Sequence, residues 1–229
     1  SIPVPKPLGE FAPVSKPLGS TGQKTATYGK IPTKKAKIIP QSPPPSAAWM
    51  TVSNGQLTNG VQRKGGVKSI PGNGNSTILS YLLSSFRSLG KKDPAYHENT
   101  SWCGAYVKWV LQQAGESIDP LTTRDALVAT NWIKWGKPTP GNKAVLGAVA
   151  VFDWGGGKGH VGFVRGRDGA GHLMIEGGNQ RMPNGGPYGV SIWPYARGRK
   201  LLGYRIPVNY TPPSNEIGFS NLPIVSKAP

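Results

Sequence analysis

The chain has 229 residues, which is enough for one domain of ordinary size with extensions. Its 27 Lys and Arg against 10 Asp and Glu give a net charge of +17. Such a surface favours polyanionic partners: nucleic acid, anionic lipid, or a cell wall rich in phosphate and carboxylate. The single cysteine excludes an intrachain disulfide framework and a multi-cysteine zinc site.

The sequence also bears on membrane insertion and on export. No apolar run approaches the ~18 residues that a membrane-spanning helix needs, so no transmembrane segment is predicted. The N-terminus lacks the basic-then-apolar order of a signal peptide, so export is expected to use another route.

Residues 1–75 are predicted to form an extended, basic arm. Residues 1–45 contain ten prolines, and the segment 3–9 (PVPKPLG) recurs as 13–19 (PVSKPLG). Residues 52–75 are rich in Gly, Asn and Ser, and the whole stretch carries ten basic residues and one acid. This composition buries too little apolar surface to offset the entropy of ordering. We expect the arm to dock on partner subunits in an assembly, with a flexible linker as the alternative.

Three helices are predicted after the arm. Apolar residues with helical spacing predict the first helix from Ser76 to Leu89, before Gly90. A second begins at the cysteine, Cys103, where Thr100 or Ser101 is expected to cap it and Gly115 to end it. A third is expected from Thr122 or Thr123 to Gly136.

The period then changes from helices to strands. Five strands separated by turns rich in Gly and Pro are predicted at 146–153, 160–165, 172–176, 188–193 and 201–206. Helices followed by an antiparallel meander indicate an α+β domain over residues 76–207. Residues 208–229 are polar and rich in proline, and are predicted to form a second tail.

Cys103 is the first candidate site residue. In the first turn of a helix, free backbone N–H groups and the helix dipole stabilise a thiolate and lower the pKa of the thiol, as a nucleophile requires. The alternative is a small buried hydrophobic residue, because free cysteine is often buried.

A thiol nucleophile needs a base, and the chain has three histidines. His160 is the best candidate because it opens a strand directly after the glycine-rich segment 155–159. His172 lies at an expected hairpin, and His97 is too close in sequence to Cys103 to face it easily. A structural or surface role remains the alternative for any single histidine.

The base in turn needs a group that orients it. Asn179 or Glu176, at the end of the next strand, is expected to accept the imidazole N–H bond. Two glycines before Asn179 allow a close backbone approach. An ordinary turn residue is the alternative for Asn179.

Four ordered segments carry a family resemblance: 102–107 (WCGAYV), 159–164 (GHVGFV), 177–180 (GGNQ) and 202–207 (LGYRIP). Together they resemble the papain-like NlpC/P60 and CHAP group of cysteine peptidoglycan hydrolases, including small bacterial and phage proteins. The resemblance implies that Cys103 is the nucleophile, His160 the general base and acid, and Asn179 the orienting group, with Glu176 second. It implies cleavage of an amide bond in peptidoglycan, as an endopeptidase or an N-acetylmuramoyl-L-alanine amidase, without metal or organic cofactor.

The expected setting combines this domain with the arm. Trp102, Trp154 and His97 are expected to line the substrate groove. We expect a virion-borne phage lysin that acts at the bacterial cell wall, or otherwise a protein exported without a classical signal peptide. The alternative is a structural virion or tail component with a hydrolase-like fold and little activity. No nucleic-acid motif accompanies the charge, so no specific nucleic acid is expected as a partner.

Overall fold

A computed structural model describes residues 47–66, 70–86, 93–183, 185–195 and 199–228. Three α-helices lie in these ranges: α1 (Trp49–Thr58), α2 (Ser76–Phe86) and α3 (Cys103–Gln113). Six strands accompany them: β1 (Lys137–Pro138), β2 (Val149–Gly155), β3 (Lys158–Arg167), β4 (Leu173–Gln180), β5 (Gly189–Tyr195) and β6 (Lys200–Ile206).

The strands form one antiparallel sheet in the order β1-β6-β2-β3-β4-β5. β2 to β5 are a meander, and β6 returns to pair with the free side of β2. The predicted α+β class and all five predicted strands are therefore confirmed, with the short β1 as an addition.

The apolar face of α3 packs on the sheet, as its spacing predicts. Buried residues of α3 share a core with Val161 and Phe163 of β3, whereas Val164 of β3 belongs to a second cluster. This division confirms the alternation predicted for β3. Gly104 allows α3 to lie close to the backbone at Ala126, because a Cβ on residue 104 would stand 2.0 Å from the carbonyl oxygen of Ala126.

Two local predictions about helices are wrong. The segment expected as a third α-helix consists of 3-10 turns at Asp125–Leu127 and Ala129–Lys134. The cap expected for α3 is also missing: Trp102 occupies the cap position without a side-chain hydrogen bond. The hydroxyl of Thr100 donates instead to the carbonyl of Ala95, and Ser101 is exposed. The predicted end of α3 is confirmed, since Gly115 has a φ of 82°.

The domain extends beyond the predicted limits of 76 and 207. Within the predicted arm of residues 1–75, α1 forms a helix, and its Trp49 and Met50 are buried in the core. Residues 1–46 and 67–69 of that arm lie outside the described residues. The predicted tail of residues 208–229 packs on the domain through β-bridges at Ile217, Ile224 and Ala228. Both segments are polar in composition, but each contributes apolar side chains to the core clusters, and burial of these side chains favours packing on the domain.

None of the helices within the described ranges has the length and apolar character that spanning a membrane requires.

Candidate active site

Cys103 is the first residue of α3 and is almost fully buried. Burial raises the pKa of its thiol, and hydrogen bonds from the backbone N–H groups of Val161, Gly104 and Cys103 itself oppose that rise. The helix start thus acts in the direction expected from the sequence, but burial outweighs it. The thiol is protonated at rest near neutral pH.

His160 lies near the start of β3, opposite Phe152 of β2, and is buried. Its ring is nearly parallel to the rings of Trp154 and Tyr195, at centroid distances of 6.1 and 5.1 Å. Burial lowers the pKa of His160 to about 3; the side chain of Gln180 opposes this shift, and the charge of Arg199 adds to it. The imidazole is therefore neutral near neutral pH and is able to accept a proton.

The structure brings Cys103 and His160 to one cavity of about 240 Å³. Residues of the β4 end and of β5 complete its wall, among them Asn179, Gln180 and Tyr195. Two residues far apart in sequence, a thiol and a neutral imidazole, thus share one small enclosure. Nucleophilic catalysis by a thiol requires this combination of groups.

Neither residue expected to orient the imidazole forms a hydrogen bond to it. Asn179 lines the cavity with a φ of 58°, but its Oδ1 accepts a bond of 2.6 Å from the guanidinium of Arg63. Glu176 is buried on the side of α1, where Oε1 accepts a 2.5 Å hydrogen bond from the Ser53 hydroxyl. Its Oε2 lies 3.5 Å from Nε of Arg165. Glu176 thus ties α1 to the sheet behind the cavity.

Gln180, which the sequence reasoning missed, lies against His160 instead. Its amide nitrogen donates to the carbonyls of Ser191 at 2.6 Å and Ile175 at 3.1 Å, which fixes the amide orientation and leaves Oε1 on the other side. A Cβ on Gly177 would stand 3.3 Å from Nε2 of His160 and 3.4 Å from Oε1 of Gln180. Both atoms are buried and have no other hydrogen-bond partner among the described residues. Although the pair does not meet strict hydrogen-bond geometry in this structure, each is the polar group available to the other.

A β-bulge explains why the sequence pointed to the neighbouring residue. The β4–β5 register shifts between Gly177 and Gln180, so simple alternation fails along this strand end. Gln180 directly follows the asparagine in the GGNQ segment, and its amide was the only signal available.

The three groove predictions have different outcomes. Trp154 lines the cavity and is 44% exposed. Trp102 is fully buried, packs against Gly178 and does not line the cavity. His97 does not line it either, and its Nδ1 accepts a hydrogen bond from the backbone N–H of Asn99. The indole of Trp102 packs tightly between the start of α3 and β4, since a Cβ on Gly178 would stand 2.4 Å from it.

Comparison with known proteins identifies one family over part of the chain. Residues 95–179 match the family model of the CHAP domain. The matched range contains α3 with Cys103, β2, β3 with His160, and β4 up to Asn179. The predicted resemblance to CHAP-type proteins is therefore confirmed for this range. No curated protein and no solved structure matches the chain.

Proposed function

We propose that this protein is a cysteine hydrolase that cleaves an amide bond of peptidoglycan, with Cys103 as nucleophile and His160 as general base. The observation that carries the proposal is the shared cavity of a helix-start thiol and a neutral, buried imidazole. The CHAP match over residues 95–179 supports peptidoglycan as the substrate. A papain-like arrangement of the helix and the sheet belongs to the same proposal.

The reaction begins from a neutral pair. His160 takes the thiol proton as the sulfur of Cys103 attacks the carbonyl carbon of the scissile amide, and a tetrahedral oxyanion forms. The first turn of α3 has no side-chain cap, and its backbone N–H groups at Cys103 and Gly104, which hydrogen-bond the sulfur at rest, turn to stabilise that oxyanion once the sulfur is bonded to carbon. His160 then protonates the leaving amine, and the C–N bond breaks to give an acyl-enzyme. A water molecule, deprotonated by His160, releases the acid and restores the thiol.

Gln180 serves in this proposal as the positioning residue for His160. Its Oε1 accepts a hydrogen bond from Nε2–H of the imidazole and so favours the tautomer that has a free lone pair on Nδ1. That lone pair receives the thiol proton. Asn179, which the family resemblance implies for this role, instead accepts a hydrogen bond from Arg63, whose guanidinium lies over the ring of the cavity residue Tyr188.

The test is digestion of purified sacculi, with the released fragments identified by mass spectrometry. The Cys103→Ala and His160→Ala variants are expected to release no fragments above background, while each retains its folded circular dichroism spectrum. Hydrolysis by Cys103→Ala at the parent rate would refute the mechanism. The fragment masses distinguish an endopeptidase, which cuts within the peptide, from an amidase, which frees the peptide from muramic acid.

The phage-virion setting is a proposal supported by the sequence of the arm. Residues 1–46 are basic and rich in proline, which suits docking on partner subunits of an assembly. Deletion of these residues leaves α1 intact and is expected to abolish incorporation into particles while hydrolysis of sacculi persists. A structural role without activity predicts loss of incorporation in a protein that never hydrolyses sacculi. Particles that carry the chain and hydrolyse sacculi would support action at the bacterial cell wall.

A further inference from the structure

Two arginines, Arg181 and Arg199, line the same cavity as Cys103 and His160. No Asp or Glu is among the lining residues. In the described part of the chain, the close contacts between carboxylates and basic side chains lie elsewhere, at Arg165 with Glu176 and at His172 with Asp168. The cavity therefore carries two cationic groups without a carboxylate partner in those ranges.

Arg199 is exposed at the rim of the cavity and packs on two aromatic rings of the site. Its guanidinium carbon lies 4.3 Å from the ring centroid of Trp154 and 5.8 Å from that of Tyr195. These two rings are the ones nearly parallel to His160. A guanidinium stacked on an aromatic face keeps its N–H edge open to a planar acceptor.

The proximity of Arg199 to the reacting groups also has an electrostatic signature. Its charge contributes to the low pKa of His160 and opposes the rise in the pKa of Tyr195. Arg199 is thus near enough to the imidazole for its charge to be felt there. An anion bound to Arg199 would lie in the cavity that Cys103 and His160 line.

We propose that Arg199, assisted by Arg181, binds a carboxylate of the substrate beside the scissile amide, so that peptides with that carboxyl group free are preferred over their carboxamides. A carboxylate fits because its two oxygens accept parallel N–H bonds from a guanidinium edge. A carboxamide presents one oxygen and an NH2 group, and it carries no charge. This inference rests on the proposed hydrolase function and names the chemistry of its substrate.

The experiment uses the full chain and two synthetic muramyl peptides that are identical except that the carboxyl groups are free in one and amidated in the other. The measured quantity is the ratio of kcat/KM for the carboxylate to that for the carboxamide. A charge-assisted hydrogen bond predicts a ratio of about 10 or more in the parent. Arg199→Gln is expected to bring the ratio close to one, and Arg199→Lys to give an intermediate value.

Lys200→Gln is the matched control, since it removes the same charge from an exposed neighbour that does not line the cavity. We expect it to keep the parent ratio. A ratio near one in the parent would overturn the proposal. An equal loss of preference in Lys200→Gln would also overturn it, because it would indicate general attraction of anions.

Binding distinguishes failure of this inference from failure of the proposed function. The Cys103→Ala chain is titrated with the same two peptides by calorimetry. Tighter binding of the carboxylate peptide, if Arg199→Gln abolishes the difference, supports the carboxylate site. It does so even if the parent cleaves neither peptide, although that lack of cleavage counts against the hydrolase function. Equal affinities, or no binding of either peptide, refute the carboxylate site. If the parent then cleaves both peptides at the same rate, the proposed hydrolase function is still supported.

Discussion

Replacement of Gln180 tests whether an amide oxygen fixes the tautomer of His160. Gln180→Met removes the oxygen next to Nε2 of His160 and also the N–H donors to Ile175 and Ser191. Gln180→Glu also loses both N–H donors and places a carboxylate oxygen against the same two carbonyls, but it keeps an oxygen that accepts a hydrogen bond from the imidazole. The two variants therefore share the loss of the donors and differ in the presence of an acceptor and in its charge.

The expected magnitude follows from burial. His160 and the amide oxygen of Gln180 are buried, so Gln180→Met leaves the Nε2–H group without an acceptor. An unsatisfied buried donor costs about 1–3 kcal/mol. If that cost appears in the transition state, kcat falls about 5- to 150-fold, at 1.4 kcal/mol for each factor of ten. Gln180→Glu is expected to retain more activity than Gln180→Met at equal stability, with a higher pKa of His160 because a carboxylate adjoins it.

The assay combines kinetics with the nitrogen chemical shifts of histidine. A protein with three histidines gives few imidazole signals, so the tautomer of His160 is directly readable. The parent is expected to show the Nε2–H tautomer, and Gln180→Met a mixture. Asn179→Ala is the comparison variant and is expected to keep the parent tautomer. An Nδ1–H tautomer in the parent, or an unchanged kcat in folded Gln180→Met, would refute the reasoning.

Three more predictions follow from packing and charge. Gly104→Ala places a Cβ 2.0 Å from the Ala126 carbonyl oxygen and should lower the free energy of unfolding by about 3 kcal/mol, as measured by urea titration. Gly55→Ala is the control and should not lower the free energy of unfolding, because the space around its Cβ is open. Burial raises the pKa of Glu98, but hydrogen bonds from the backbone N–H groups of Lys64, Gly65, Gly66 and Asn75 outweigh this effect and lower it. Glu98→Gln should therefore lower the free energy of unfolding by about 1–3 kcal/mol at neutral pH, and the difference from the parent should shrink as pH falls through the lowered pKa. Equal stabilities at neutral pH would contradict that account. Since burial raises the pKa of the Cys103 thiol, its alkylation by iodoacetamide should still accelerate above pH ~9, and a plateau already reached at pH 7 would be inconsistent with it.

The elements around the site could be predicted because their signals are local. Apolar spacing identified α3, glycine ended it, and alternation identified β3 with His160 at its start. The α1 helix was missed because its apolar pattern is weak and a polar, Gly-containing sequence surrounds it. Its Ser53 forms hydrogen bonds with Tyr106 and Glu176, which lie far away in the chain. Long-range partners of this kind leave no periodic trace in sequence.

The orienting group shows the same limit at the scale of single atoms. Glu176 and Asn179 were reasonable expectations from residue type, but each has another hydrogen-bond partner: Ser53 of α1 for Glu176, and Arg63 of the segment that follows α1 for Asn179. A bulge then turns Gln180 toward the imidazole. Sequence pattern predicts which strand carries the orienting group, while the competition among partners decides which side chain is left for it.

One charge links the two proposals made for the cavity. At rest the thiol of Cys103 holds its proton and His160 is a weak base, because burial raises the pKa of the first and lowers that of the second. Proton transfer between them therefore costs free energy in the empty site. Arg199 adds to that cost, since its charge disfavours the imidazolium. A substrate carboxylate bound to Arg199 offsets this charge, which raises the pKa of His160 and strengthens the base. The preference for a carboxylate peptide should consequently appear in kcat as well as in KM, and a preference confined to KM would show that the carboxylate only anchors the substrate.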